Sequence, residues 1–290
     1  MSKGSSSVSL KPSERSDSAR ARNRGERKAR ILAVSNQKGG VGKTTTAVNL
    51  AASLAAAERE VLLIDLDPQG NASSSVGFPR EQVELGTYDL LMGEAALDDV
   101  LLDTDLPPLK VVATTPNLLG AEVEMVDVQG RESRLMQALT RARARDRWDF
   151  IIMDCPPSLG LLTLNALVAA DAIVIPMLAK YFSLEGLGAL HSTIEAIRGA
   201  FNPDLEIEGI VFCNHNQRTN LAQAVVTEVQ KHFPQHVFTT RIPQNIRLSE
   251  SPSHGKPALL YDIESKGAQA YLELAQELMT RTDTRTRAQL

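Results

Sequence analysis

Cysteine is scarce in this 290-residue chain: Cys155 and Cys213 are the only two. Two thiols cannot build a disulfide framework, and they suit a reducing cytoplasm. Long apolar runs are missing as well. A bilayer-crossing helix needs about 18 or more apolar residues, and the longest candidate, residues 166–179, is cut by Asp171 and Pro176. The N-terminus is polar and basic, without the apolar stretch of a secretory leader. Excess positive charge is missing too; a net charge of −4 does not announce a nucleic-acid binder.

What charge there is lies unevenly. Residues 1–30 hold nine Lys/Arg against three acids, a net of +6, which leaves the remainder near −10. This Ser/Arg/Lys-rich segment has almost no large apolar residues, so it cannot bury enough surface to offset chain entropy. Residues 1–30 are expected to be a disordered basic tail, suited to an electrostatic tether to DNA. Residues 31–281 form the expected folded domain, and residues 282–290 a polar C-terminal tail.

The domain alternates short apolar runs with helical patterns. Expected strands are residues 31–35, 61–65, 110–113, 150–154, 172–176 and 207–212. They read as continuous rather than alternating apolar runs, the mark of strands covered on both faces. Expected helices are 44–57, 132–145, 161–170, 184–199, 221–232 and 267–280. The alternation predicts an α/β fold: a doubly wound, mostly parallel sheet with helices on both faces, whose ligands lie beyond the carboxyl ends of the strands.

The first strand runs into Gln37-Lys38-Gly39-Gly40-Val41-Gly42-Lys43-Thr44-Thr45-Thr46. An ordinary phosphate loop has glycine where Gln37 stands, so this is the deviant form. The chemistry remains legible. Gly39, Gly40 and Gly42, with Val41 between, let backbone N–H groups approach phosphate closely. The following helix N-terminus favours negative charge. Lys43 is placed to pair with the β- and γ-phosphates, the Thr44 hydroxyl to ligate Mg²⁺, and Thr45 to reach the α-phosphate.

Two apolar strands then deliver carboxylates to the same end. In Asp65-Leu66-Asp67-Pro68-Gln69-Gly70-Asn71, Asp67 is placed to orient an attacking water or accept its proton. Asp65 either supports Mg²⁺ through water or anchors the loop. In Phe150-Ile151-Ile152-Met153-Asp154, four apolar residues and an acid make a Walker B arrangement, with Asp154 holding Mg²⁺ from its second coordination shell. Cys155 reads as an interior free thiol.

The loop resembles those of the ParA/MinD group of deviant Walker A ATPases. Residues 65–71, 154–166 and 242–257 resemble, more narrowly, the chromosomal ParA/Soj partition ATPases, and the resemblance runs from about Ile31 to Leu278. It implies that Lys38 crosses a homodimer interface to contact the partner's nucleotide, so that two ATP molecules are sandwiched between subunits. It implies an adenine pocket that includes Pro243 and Asn245. It implies non-specific DNA binding through Arg218 and Arg247, a ParB-like partner that stimulates hydrolysis, and a cytoplasmic, nucleoid-associated location. Two departures stand out: Asn216 where the family often has Asp, and Gln244 where Arg is common.

Three other readings compete with DNA segregation. The same engine could position a protein cargo such as a chemoreceptor cluster. A MinD-like division-site regulator needs an apolar C-terminal helix face, and residues 280–290 offer almost none. An iron-protein relative needs cysteines at a dimer axis, for which neither Cys155 nor Cys213 is suited.

Overall fold

The computed structural model describes residues 29–143, 147–180, 183–214 and 220–289. The expected tail at 1–30 therefore lies almost wholly outside the described residues, as does Arg218. Its boundary shifts by two residues. Ala29 is buried, and Arg30 opens strand β1. The cause is electrostatic: Glu208 is fully buried, and the Arg30 guanidinium reaches it at 3.0 Å and Glu206 at 2.9 Å.

Seven strands are described: β1 (Arg30–Val34), β2 (Val61–Asp65), β3 (Leu101–Asp103), β4 (Leu109–Val112), β5 (Phe150–Asp154), β6 (Ala172–Leu178) and β7 (Glu206–Cys213). They form one sheet in the order β3-β4-β2-β5-β1-β6-β7. All neighbours pair in parallel except β3 and β4. The first six helices are α1 (Lys43–Ala56), α2 (Asn71–Ser74), α3 (Thr87–Met92), α4 (Ala121–Glu124), α5 (Arg134–Arg143) and α6 (Leu161–Ala169). The rest are α7 (Ser183–Ala200), α8 (Asn220–His232), α9 (Arg247–Glu250), α10 (Ala258–Tyr261) and α11 (Lys266–Gln289).

The strand sequences are apolar throughout because both faces are covered. Successive residues point to opposite sides. Ile31, Ala33, Ile151, Met153, Ile173 and Ile175 pack into a core with Leu91, Leu135, Leu167, Leu190 and Val229. Leu32, Val34, Phe150, Ile152 and Val174 pack into a second core with Leu50, Leu54, Tyr271, Leu274 and Leu278. The alanine-rich α1 presents small side chains, which suits close packing on the sheet. It ends at Ala56 with Ala57 as its C-cap, after which Glu58 takes a left-handed turn with φ 61°.

The last helix differs from expectation. The sequence suggests an end near Thr280, but α11 runs to Gln289. Arg281 donates to the Val237 carbonyl and to Glu277. Arg285 reaches the buried Glu208 at 2.8 Å, so this polar extension is ordered by ion pairs rather than by an apolar face.

Candidate nucleotide site

Three strands deliver three loops to one rim. β5 lies between β1 and β2, in a register that pairs Val34 with Asp154 and Asp154 with Asp65. The Walker B carboxylate thus stands between the phosphate loop that follows β1 and the switch loop that follows β2.

In the phosphate loop, Gly40 and Gly42 take φ values of 70° and 95°, which L side chains rarely adopt. Gly42 precedes α1, and no side chain caps that helix. Its first-turn N–H groups remain available to an anion. Asn36 sets the lip from below. Its amide donates to the Pro176 carbonyl at 2.8 Å, and its Oδ1 accepts the Lys38 N–H at 3.0 Å. The Lys38 side chain is half-buried, and no ion pair to it is found among the described residues. Lys43 is buried, its ammonium donating to the Lys38 carbonyl at 3.2 Å. Burial pulls the Lys43 pKa below its ordinary value, and the charges of Asp154 and Asp67 partly restore it. Thr44 and Thr45 follow on the first turn, both partly exposed.

The carboxylates divide in role. Asp65 is fully buried, accepting the Ser73 N–H at 2.7 Å, the Ser73 hydroxyl at 2.6 Å and the Asp67 N–H at 3.1 Å. Of the two roles left open by sequence, these bonds support the loop anchor. Burial raises its pKa to about 6 despite these donors. Asp67 is nearly buried, and its Oδ1 accepts the Gln69 N–H at 3.0 Å. Asp154 is fully buried with neither oxygen in a hydrogen bond of ordinary geometry. Burial drives its pKa well above the usual carboxylate range, and the Asp65 charge adds to this. The Thr44 hydroxyl and Lys43 offset it only in part. An orphaned buried carboxylate facing the Thr44 hydroxyl is a donor set that suits Mg²⁺ and its waters. Among the described residues no group of three or more His, Cys, Asp or Glu is placed to hold a metal ion.

A cavity of about 250 Å³ joins the loop to the end of β7, lined by Gly40–Gly42, Thr45, Cys213, Asn214, Pro243 and Asn245 among others. Pro243 and Asn245 therefore share a hollow with the phosphate loop. The Asn245 Oδ1 accepts the Arg247 N–H at 2.9 Å, which leaves its amide N–H groups for a ligand. Asn214 was not singled out from sequence. Its left-handed φ of 49° at the end of β7 is the structural signal, and an asparagine following an apolar strand was the available cue. Arg247 is not a free cation: it pairs with Glu250 at 2.8 Å and Asp262 at 3.1 Å.

A family model described as an AAA domain matches residues 29–207. The chain is 52 % identical over 267 residues to the chromosome partitioning protein ParA of Myxococcus xanthus, covering 91 % of this chain and 94 % of that one. It is 49 % identical over 249 residues to the sporulation initiation inhibitor protein Soj of Bacillus subtilis, covering 86 % and 98 %. The chain belongs to the ParA/Soj family. A solved structure of cobyrinic acid a,c-diamide synthase from Mycobacterium smegmatis, with bound ADP and magnesium, superposes with a TM-score of 0.77 at 33 % identity over 88 % of this chain and 96 % of that one. That likeness agrees with the doubly wound sheet found here.

The buried acids of this ParA/Soj chain carry a stability cost. A raised carboxyl pKa means that the native state holds its proton more tightly than the unfolded chain does. Stability from Asp65 is therefore present at low pH and lost as pH rises from about 4 to about 6. Asp154 acts in the same direction. Asp154→Asn is expected to raise the thermal midpoint of the nucleotide-free protein at pH 7.5 by a few degrees, about 2–4 °C, because it removes an uncompensated buried acid. The same variant loses the extra stabilisation that Mg²⁺ gives with nucleotide. Scanning calorimetry with and without Mg²⁺ and nucleotide checks both; an unchanged Mg²⁺ effect contradicts the ligand-holding role.

Proposed function

We propose that ATP binding closes two copies of this chain into a sandwich dimer that holds DNA without sequence preference, and that partner-stimulated hydrolysis releases it, so that chromosome or plasmid DNA is segregated. The chain is an ATPase of the ParA/Soj family. What supports the reading is one convergence: an uncapped helix N-terminus, Lys43 and the orphaned Asp154 meet at the rim, while on the outer lip no described residue forms an ion pair with Lys38.

The chain's own residues set the steps. Backbone N–H groups of residues 39–45 hold the phosphates, and Lys43 pairs with the outer two. Pro243 and Asn245 hold the base. Thr44 and Asp154 hold Mg²⁺, which neutralises charge on the phosphates when bound. Asp67 orients the water and receives its proton. Lys38 reaches the partner subunit's nucleotide, so dimerisation requires ATP. Cations from two copies then act together on DNA, which makes affinity conditional on the dimer. A ParB-like protein is the expected stimulator, and a nucleoid-bound cytoplasmic pool the expected location. No described helix is long and apolar enough to cross a membrane.

Positioning of a protein cargo by the same cycle is the second reading. The observation that favours it is the pairing of Arg247 with two acids, which lowers the positive charge offered to phosphate. A gel-shift series separates them. With a non-hydrolysable ATP analogue the chain should bind random duplex at 50 mM salt and weaken by about ten- to a hundredfold at 200 mM. No binding at low salt ends the DNA reading.

A further inference from the structure

The switch loop between β2 and α2 contains Pro68 and Gly70 and makes a tight turn. The Gly70 N–H donates to the Asp67 carbonyl at 2.9 Å. Its inner end is anchored through Asp65 to Ser73. Its outer end is reached from elsewhere: the Arg80 guanidinium donates through Nη1 to the Pro68 carbonyl at 2.6 Å. The same side chain covers Gly70. A Cβ at Gly70 would meet the Arg80 Cβ at 3.2 Å and Cδ at 3.3 Å, with the Thr114 methyl at 2.9 Å on the other side. Gly70 also has a φ of 70°, so it is both the turn residue and the seat for the arginine stem. Arg80 opens a short 3-10 turn after Pro79, a position that carries its guanidinium back over the loop. Its remaining pair, with the exposed Glu81 at 3.0 Å, contributes little.

We propose that Arg80 is a latch, a positioning residue that holds the Asp67–Gly70 turn in the geometry from which Asp67 meets its water. A Pro/Gly turn fixed at only one end opens locally, and a carboxylate displaced by even 1 Å loses much of its effect on a reacting water. The catalytic consequence rests on the reading of Asp67 as the water-orienting group. The latch itself rests only on the contacts above.

Three full-length variants test it. Arg80→Met keeps the stem and removes the donor, Arg80→Lys restores one donor, and Asp67→Ala removes the group being positioned. Amide hydrogen exchange of Gln69 and Gly70 is followed in the nucleotide-free protein, with kcat and KM for ATP and the thermal midpoint alongside. Arg80→Met should exchange about tenfold faster at these two amides, as expected for losing a hydrogen bond to a charged donor. Its kcat should fall about tenfold with KM unchanged. Arg80→Lys should recover most of both. Parental exchange and kcat in Arg80→Met overturn the latch, as does a loss spread over KM and the thermal midpoint without rescue by lysine. Should Asp67→Ala turn over at the parental rate, the Asp67 reading falls and takes the catalytic consequence with it. Faster exchange in Arg80→Met would still uphold the latch, so the two failures are told apart.

Discussion

Lys38→Ala is expected to abolish the ATP-dependent dimer while leaving most of the nucleotide affinity in place. The contacts that Lys38 makes within its own loop are backbone contacts: its N–H is held by Asn36, and its carbonyl accepts from Lys43. Both survive truncation to alanine, so the cradle that holds the subunit's own phosphates is preserved. What is removed, on the proposed cycle, is the ammonium group that would enter a water-poor interface against the partner's triphosphate. Truncating one partner of such a pair costs about 2–5 kcal/mol, and each closed dimer contains the contact twice. The dimerisation constant should therefore fall by at least about a hundredfold. Size-exclusion chromatography with a non-hydrolysable ATP analogue reads the dimer, and a fluorescent nucleotide reads binding. A dimer as stable as the parent's would take the in-trans lysine out of the cycle.

Much of the fold was legible because its strands carry a strong local signal. The runs at 61–65 and 150–154 are continuous apolar stretches ending in an acid, and the observed strands share those boundaries. β3 was not seen: two half-buried leucines and an exposed aspartate offer no periodicity, and the strand pairs only with β4 beside it. The run of α11 past Thr280 was hidden for a similar reason. Its support comes from Glu208, more than seventy residues away in the chain, and no local pattern reports that.

The site was legible in its parts and not in its arrangement. Glycine spacing marks the phosphate loop whatever the strand order. Nothing local says that β5 inserts between β1 and β2, and that insertion is what brings Asp154 next to both Lys43 and Asp65. The fate of a lone acid was equally invisible: Asp65 and Asp154 both end apolar strands, yet Asp65 accepts three hydrogen bonds and neither Asp154 oxygen accepts one of ordinary geometry. Asp65 is satisfied because Ser73 lies eight residues on, across a turn whose shape depends on Gly70 and Arg80. Arg247 was read from its motif as a cation for phosphate. Its partner Glu250 lies three residues on in α9, whereas Asp262 follows α10, and only the packing of the two segments brings this second acid to the same guanidinium.

Asp67→Ala should hydrolyse ATP about 10²–10⁴-fold more slowly while still binding nucleotide and forming the dimer. Asp67 lies at the rim, nearly buried, with one oxygen engaged by the Gln69 N–H and no described donor to the other. That leaves an acceptor facing the phosphate loop, whose Lys43 senses the carboxylate's charge. On the proposed mechanism, removing it takes away the base but leaves the phosphate cradle, the Asp154 side chain and the Lys38 lip untouched. The cycle then halts after capture, so DNA association becomes persistent rather than transient. Asp67→Asn sharpens the test, because an asparagine oxygen can still accept the Gln69 N–H and keep the turn while losing the charge. If both variants stall alike, proton acceptance is the function of Asp67. If Asn restores turnover, the residue acts only through the shape of its loop. Single-turnover phosphate release measures the first step, and co-sedimentation with random duplex in ATP measures the second. Parental turnover by the alanine variant contradicts the water-orienting role outright.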